Sequence, residues 1–193
     1  VMVSCSDGPV LKPIEKDLVE IKMVSSVTPG TRAAIESDDS GLLKTGPINV
    51  HFDRAADAAT AEWSTATTLV EATLDASGDI TFASAQYYNV DETKNSHLFG
   101  YYAGTEITPS SGKLTVPITN GDLDVLYTKI PVSGNKTTVG ALQPVFDHAL
   151  AWVKIQIKGD AAASAIWGDV TKITIKDVAK NVEITLGASA SIA

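Results

Sequence analysis

The chain has 193 residues, of which 44% are hydrophobic and 20% charged, and a formal net charge of −8. That length is ample for one large domain with a continuous core, and the composition excludes wholesale disorder. The acidic surplus, with no Lys/Arg cluster, speaks against nucleic acid as a partner, because binding phosphate needs a basic face that releases counterions. No run of about 18 apolar residues occurs, so no membrane-spanning helix is expected.

Residues 1–16 hold Gly8, Pro9 and Pro13 without any period and read as a tether. Cys5 is the single cysteine, so no internal disulfide exists and the fold must rest on its core. A lone cysteine is ordinarily an inert small residue or a free thiol. Cys5, however, follows Val1-Met2-Val3-Ser4 and precedes the polar run Ser6-Asp7-Gly8-Pro9. That arrangement is similar to the end of a bacterial lipoprotein signal, where the cysteine carries lipid and anchors the chain without spanning the membrane.

From Leu18 the pattern becomes alternating. Val19, Ile21 and Met23 take one face and Glu20 and Lys22 the other, so a half-buried strand is expected over Leu18–Val27. Thr28-Pro29-Gly30 ends it as a turn, and residues 31–46 read as an exposed connection. A second strand is expected at Ile48, Val50 and Phe52, then an Ala-rich stretch over 54–62 with one or two helical turns as an option. Val70, Ala72 and Leu74 lead through Asp75-Ala76-Ser77-Gly78-Asp79, a hairpin-like turn, into Ile80-Thr81-Phe82. Further strands are expected at Leu98–Tyr102, Leu114–Ile118 and Val125–Ile130, with Asn120-Gly121-Asp122 and Ser133-Gly134-Asn135 as turns.

In Val145–Lys158 the apolar parity changes: Phe146, Leu150 and Trp152 oppose Val153, Ile155 and Ile157. A bulge, two strands meeting at a bend, or a short helix would each account for it. Val170–Val178 and Val182–Leu186 close the series, and residues 188–193 read as a linker or truncated end. About ten short strands with hardly any helical period indicate an all-β sandwich of antiparallel sheets.

No constellation for catalysis stands out, and an enzyme is not expected. His51, His97 and His148 are far apart in sequence and lack short metal-ligand spacing. His51 falls on the polar face of its strand, where solvent contact is ordinary. His148, between Phe146 and Leu150, reads as a packed histidine held by a backbone hydrogen bond. Asp38-Asp39-Ser40-Gly41 and Asp122-Leu123-Asp124 carry oxygen ligands without EF-hand spacing, and read as solvated turns. Tyr87-Tyr88 and Phe99-Gly100-Tyr101-Tyr102 are candidates for a glycan platform, although neighbouring residues in a strand face opposite ways, so half should be core. No cofactor and no metal is expected.

Four segments, in order, carry a resemblance. They are Leu74 to Tyr88, His97-Leu98-Phe99-Gly100-Tyr101-Tyr102, Asp122-Leu123-Asp124-Val125-Leu126-Tyr127 and Phe146-Asp147-His148-Ala149-Leu150-Ala151. With Cys5 and Thr31-Arg32-Ala33 they resemble the fimbrillins, pilus subunits of Bacteroidales-type bacteria. Ala103 departs from the family, which usually has Pro after the paired tyrosines. The resemblance implies transthyretin-like β-sandwiches exported as an outer-membrane lipoprotein and displayed at the cell surface in a fimbria. It also implies an arginine-specific protease that removes an N-terminal strand, after which a neighbouring subunit lends a strand to the vacated groove. Only Arg32 and Arg54 among the fifteen basic residues are arginines. Cutting after Arg32 would release the anchor at Cys5 together with the strand that carries Val19, Ile21 and Met23. Arg32 reads equally well as an ordinary surface residue of an uncut lipoprotein, and Arg54 is the less attractive site because it follows a core strand. The partners implied are other pilus subunits, the protease and a host-surface ligand. The competing reading is a surface lipoprotein that binds host glycan or protein through its loops.

Overall fold

The computed structural model describes residues 18–29, 35–140, 142–151, 153, 155–156, 158–159, 162, 166, 168 and 170–192. Cys5 and Arg32 lie outside the described residues. The fold is all-β. Its first elements are β1 (Met23–Val24), β2 (Ser26–Val27), β3 (Ile48–Ala58), β4 (Thr68–Leu74) and β5 (Asp79–Phe82). They are followed by β6 (Asn95–Tyr102), β7 (Lys113–Pro117), β8 (Leu126–Thr128), β9 (Val132–Gly134), β10 (Val145–His148), β11 (Asn181–Thr185) and β12 (Ser191–Ile192).

Nine strands form one sheet in the order β1-β5-β4-β3-β6-β8-β10-β2, with β9 beside β6, and β12-β11-β7 form a second sheet. The ladders are antiparallel except for β2 against β10. The two ends of the large sheet, β1 and β2, are separated in sequence only by Ser25. The large sheet therefore curls almost into a barrel, with one short segment joining its two edges.

Alternation along the strands sorts side chains to two cores. Val50 and Phe52 of β3, Val70, Ala72 and Leu74 of β4, Leu98 of β6, Leu126 of β8 and Phe146 of β10 fill the inside of the curled sheet. Ala55, Phe99, Tyr101 and Tyr127, from the opposite faces of the same strands, and Val125 just before β8 meet Leu114, Val116, Val182 and Ile184 of the small sheet. The result is a sandwich-like packing in which the small sheet lies on the outer face of the large one.

Several expectations are corrected. β3 continues as strand through Ala58, with a register shift between Ala55 and Ala58 where a helical turn was an option. Alanine's helix preference is overridden there by pairing with β6 on both sides of that shift. The connection before β3 is partly buried: Leu43 is core and Ser37 bridges to it. Val132–Gly134 pairs with β6, although Ser133-Gly134-Asn135 carries turn residues, and Ser191–Ile192 pairs with β11. Residues 170–178 form no strand, and the described residues 153, 155, 156 and 158 form none either. Val153, Ile155, Ile173 and Ile175 stay exposed. Alternation creates an apolar face, but a strand also needs a neighbour's unpaired backbone groups, and among the described residues none pairs with these.

Gly100 decides how tightly the inner core closes. A Cβ at this position would lie 2.7 Å from the Phe52 ring and 2.9 Å from the Phe146 ring. Those rings meet edge to face at 6.2 Å across the space the glycine leaves. Gly100→Ala is expected to lower the free energy of unfolding by about 1–3 kcal/mol through overpacking. Urea denaturation measures it, and an unchanged midpoint would mean that the rings are free to move aside.

Candidate functional site

The segment from Val19 to Thr28 is held from both sides. Toward β5, Met23 pairs with Ile80 and Val24 with Asp79, and Glu20 bridges Tyr87. The Ile21 amide donates to the Gln86 carbonyl at 2.8 Å and the Tyr88 amide to the Val19 carbonyl at 2.9 Å. Toward β10, Ser26 pairs with Val145 and Val27 with Phe146, and the Thr28 amide donates to the Phe146 carbonyl at 2.7 Å. The single expected strand is thus two short ladders facing opposite neighbours, with the changeover at Ser25. There the Ser25 amide donates to the Gly78 carbonyl at 2.7 Å. Gly78 has φ +87°, and a Cβ on it would lie 2.5 Å from the Ser25 carbonyl. Only glycine accommodates both the left-handed turn and that backbone approach.

The predicted inward face is in place. Ile21, Met23 and Val27 are 2%, 3% and 1% exposed, Val19 packs against the same core, and Val24 points outward. Burying each of the first three contributes about 1.5–3 kcal/mol, so the segment is bound by apolar area as well as by its backbone.

Both flanks of residues 30–34, which carry Arg32, are tied down. On one side the Thr28 hydroxyl donates to the Asp147 carboxylate. On the other, the Ile35 amide donates to Asp124 Oδ2 at 3.1 Å, and the same carboxylate holds His148 Nδ1 at 3.0 Å. His148 is therefore held chiefly by a carboxylate, with the Thr28 backbone adding to it, where a backbone hydrogen bond alone was expected, and Asp124 of the acidic turn points inward. Arg54 is occupied: its side chain is 16% exposed and reaches Asp57, Gln86, Ser96 and the Tyr87 carbonyl. Because that guanidinium holds Gln86 and Tyr87, it also braces the strip against which Val19 and Ile21 pair.

The outer face carries a second polar group of residues. His51 of β3 stands opposite Glu71 of β4 and Tyr101 of β6. It is buried, although it sits on the face read as polar, because Tyr101 stacks on its ring at 5.4 Å and 20°. The Tyr101 hydroxyl accepts from the Ile107 amide at 3.0 Å and donates to the Ile107 carbonyl, which pins the loop bearing Glu106. Burial first, and then the charges of Asp53 and Glu106, outweigh that hydrogen bond and push the Tyr101 phenol up to about 12. Neighbouring Asp53 is buried, and among the described residues no group makes a close hydrogen bond to either of its carboxylate oxygens. Burial raises its carboxyl above the usual range, and the nearby Thr67 hydroxyl only partly offsets this.

His51, Glu71 and Glu106 line a cleft of about 520 Å³. Their ligand atoms all lie within 4.8 Å of one another. Sequence spacing missed this trio because the register of β3 on β4 follows a long connection and Glu106 arrives on a loop. The glycan-platform residues mostly turn inward: Tyr88, Phe99 and Tyr101 are buried, and Tyr87 is exposed. Asp38 uses its carboxylate to cap its own turn, accepting from the Ser40 and Leu42 amides.

No family model, curated protein or solved structure matches the chain.

The Asp124–His148 pair gives the seam a pH dependence. The hydrogen bond to Asp124 is the main cause that raises the His148 pKa above its ordinary 6.5; desolvation opposes it, and the Asp124 and Asp147 charges and the Thr28 backbone add to it. A raised histidine pKa contributes stability that is full below the unfolded value and lost as pH rises through the folded one. Stability is therefore expected to fall as pH increases from about 6 through the folded-state value, and His148→Gln should flatten that part of the curve. Urea midpoints across the range test this, and an equal slope in the variant would assign the effect to another group.

Proposed function

We propose that this protein is a structural subunit of a cell-surface pilus that assembles by exchanging its N-terminal strand, and that it contributes to adhesion in that form. The observation that carries this reading is the seam. One segment of about ten residues supplies the hydrogen-bonding partner for two otherwise open edges and inserts three fully buried side chains between them. Such a segment is replaceable in kind: an extended strand from a neighbour with apolar residues at alternate positions makes the same backbone bonds and fills the same pockets.

The location of the arginines supports the same reading. Arg54 is locked into a hydrogen-bonded cluster within a strand. Arg32 falls between Thr28 and Ile35, four residues beyond Thr28, the last hydrogen-bonded residue of the seam. A protease that cuts after arginine would leave the segment connected to the rest of the chain by non-covalent contacts alone. The anchor at Cys5 would leave with it, so that cleavage frees the subunit from an outer membrane and opens its acceptor groove in one step.

The segment's contribution is tested first by substitution. Ile21→Ala is expected to cost about 2–5 kcal/mol of stability, whereas Val24→Ala, on the exposed side, should stay within about 0.5 kcal/mol. Equal effects in denaturant titrations would deny the segment its anchoring role.

Assembly is tested with an arginine-specific protease on the folded protein. One cut, after Arg32, is expected, followed by uptake of a labelled synthetic peptide spanning residues 18–29 into the cleaved protein. Resistance at Arg32, or a cut protein that neither releases its segment nor takes up the peptide, would overturn the proposal. A surface binding module would instead stay intact and monomeric and retain glycan or host protein on an array.

A further inference from the structure

The outer-face cleft holds a donor set that strand exchange does not use. His51 is only 8% exposed, and its Nδ1 is buried without a hydrogen-bond partner among the described residues. A buried polar atom left unpaired costs about 1–3 kcal/mol, so a group in this condition beside two carboxylates calls for a partner that the polypeptide does not provide. The two carboxylates belong to exposed residues, Glu71 and Glu106, and converge with the imidazole to within 4.8 Å.

Each of the three is positioned by a separate constraint. Glu71 is the register partner of His51 in the β3–β4 ladder. Tyr101 fixes the tilt of the His51 ring by stacking on it. The same tyrosine pins Ile107 through its hydroxyl, and thereby fixes the loop on which Glu106 stands. A single buried phenol thus places two of the three donors, one through its ring and one through its oxygen.

We propose that His51, Glu71 and Glu106 bind one divalent transition-metal ion of the zinc class. One imidazole nitrogen and two carboxylate oxygens suit a small ion that takes mixed nitrogen and oxygen ligands in tetrahedral or five-coordinate geometry. Calcium and magnesium prefer all-oxygen shells, and the buried imidazole argues against them. Three protein ligands leave at least one position open to the cleft, where water completes the shell. Two carboxylates and a neutral imidazole carry a net charge of −2 that a divalent cation neutralises. The bound ion would cross-link the β3–β4 hairpin to the loop after β6, on the face of the large sheet away from the seam core.

The test is calorimetric titration of the folded chain with zinc chloride, alongside cobalt(II) as a spectroscopic substitute. One equivalent is expected to bind saturably and raise the unfolding temperature. Cobalt is expected to give the intense visible bands of a four- or five-coordinate site, in place of the weak bands of the hexa-aqua ion. Glu106→Gln should weaken binding about tenfold or more, and Glu71→Gln combined with Glu106→Gln should abolish it. Both glutamates are exposed, so the variants are expected to fold, and unchanged far-UV circular dichroism checks this. His51→Ala should remove the cobalt bands as well. Absence of saturable binding in the unsubstituted chain overturns the proposal, as does undiminished affinity in the double glutamine variant, which would place the ion elsewhere.

Discussion

The structure depends on closing an open sheet with one piece of backbone. β5 and β10 would each present a row of unpaired amides and carbonyls if the segment from Val19 to Thr28 were absent, and such edges recruit any available strand. The segment satisfies both because it changes neighbours at Ser25, pairing antiparallel with β5 before that point and parallel with β10 after it. Its inward side chains continue one alternation through the changeover, since Ser25 itself is buried between Met23 and Val27. The switch of backbone partner therefore costs no break in side-chain packing.

Everything around the seam reinforces it. Gly78 brings the β4–β5 turn against Ser25, and the β4–β5 turn itself is held by Asp75, whose carboxylate accepts from the Ser77 and Asp79 amides. Arg54 braces Gln86 and Tyr87 from the far end of β3. Asp124 draws together Ile35 and His148, one on each side of the place where the chain leaves the seam. These contacts shape the groove, and most of them belong to the remainder of the fold and would outlast the segment.

The two faces of the large sheet have different characters. The inner one is mainly apolar, filled by Phe52, Phe146, Leu74 and Leu98, and its few buried hydroxyls are hydrogen-bonded, Thr128 to the Gly100 amide and Ser96 to Arg54. The outer one mixes apolar residues under the small sheet with a buried polar strip of His51, Asp53 and Tyr101. Burying Asp53 with only the Thr67 hydroxyl to offset the loss of water is unfavourable on its own, and such groups mark places where stability is given up for something else. Crowding of charge and imidazole on that strip is the physical setting for the metal site proposed above.

The strand periods of β3, β4, β6, β7 and β11 were legible in the sequence because alternation is local: Val50 and Phe52, or Val182 and Ile184, announce a buried face by themselves. So were the Asp75–Asp79 turn and the inward set Val19, Ile21 and Met23. Residues 170–178 show the limit of that signal, since Ile173 and Ile175 alternate equally well and form no strand. By itself the sequence determined the all-β class and, in the strands that do pair, which apolar side chains share a face, since both follow from neighbours two residues apart. Which strands pair, that Ser25 divides one strand between two edges, and that His51 meets Glu71 and Glu106 were decided only by tertiary structure. Register across long connections is set by mutual packing and backbone pairing, and no interval along the chain encodes it.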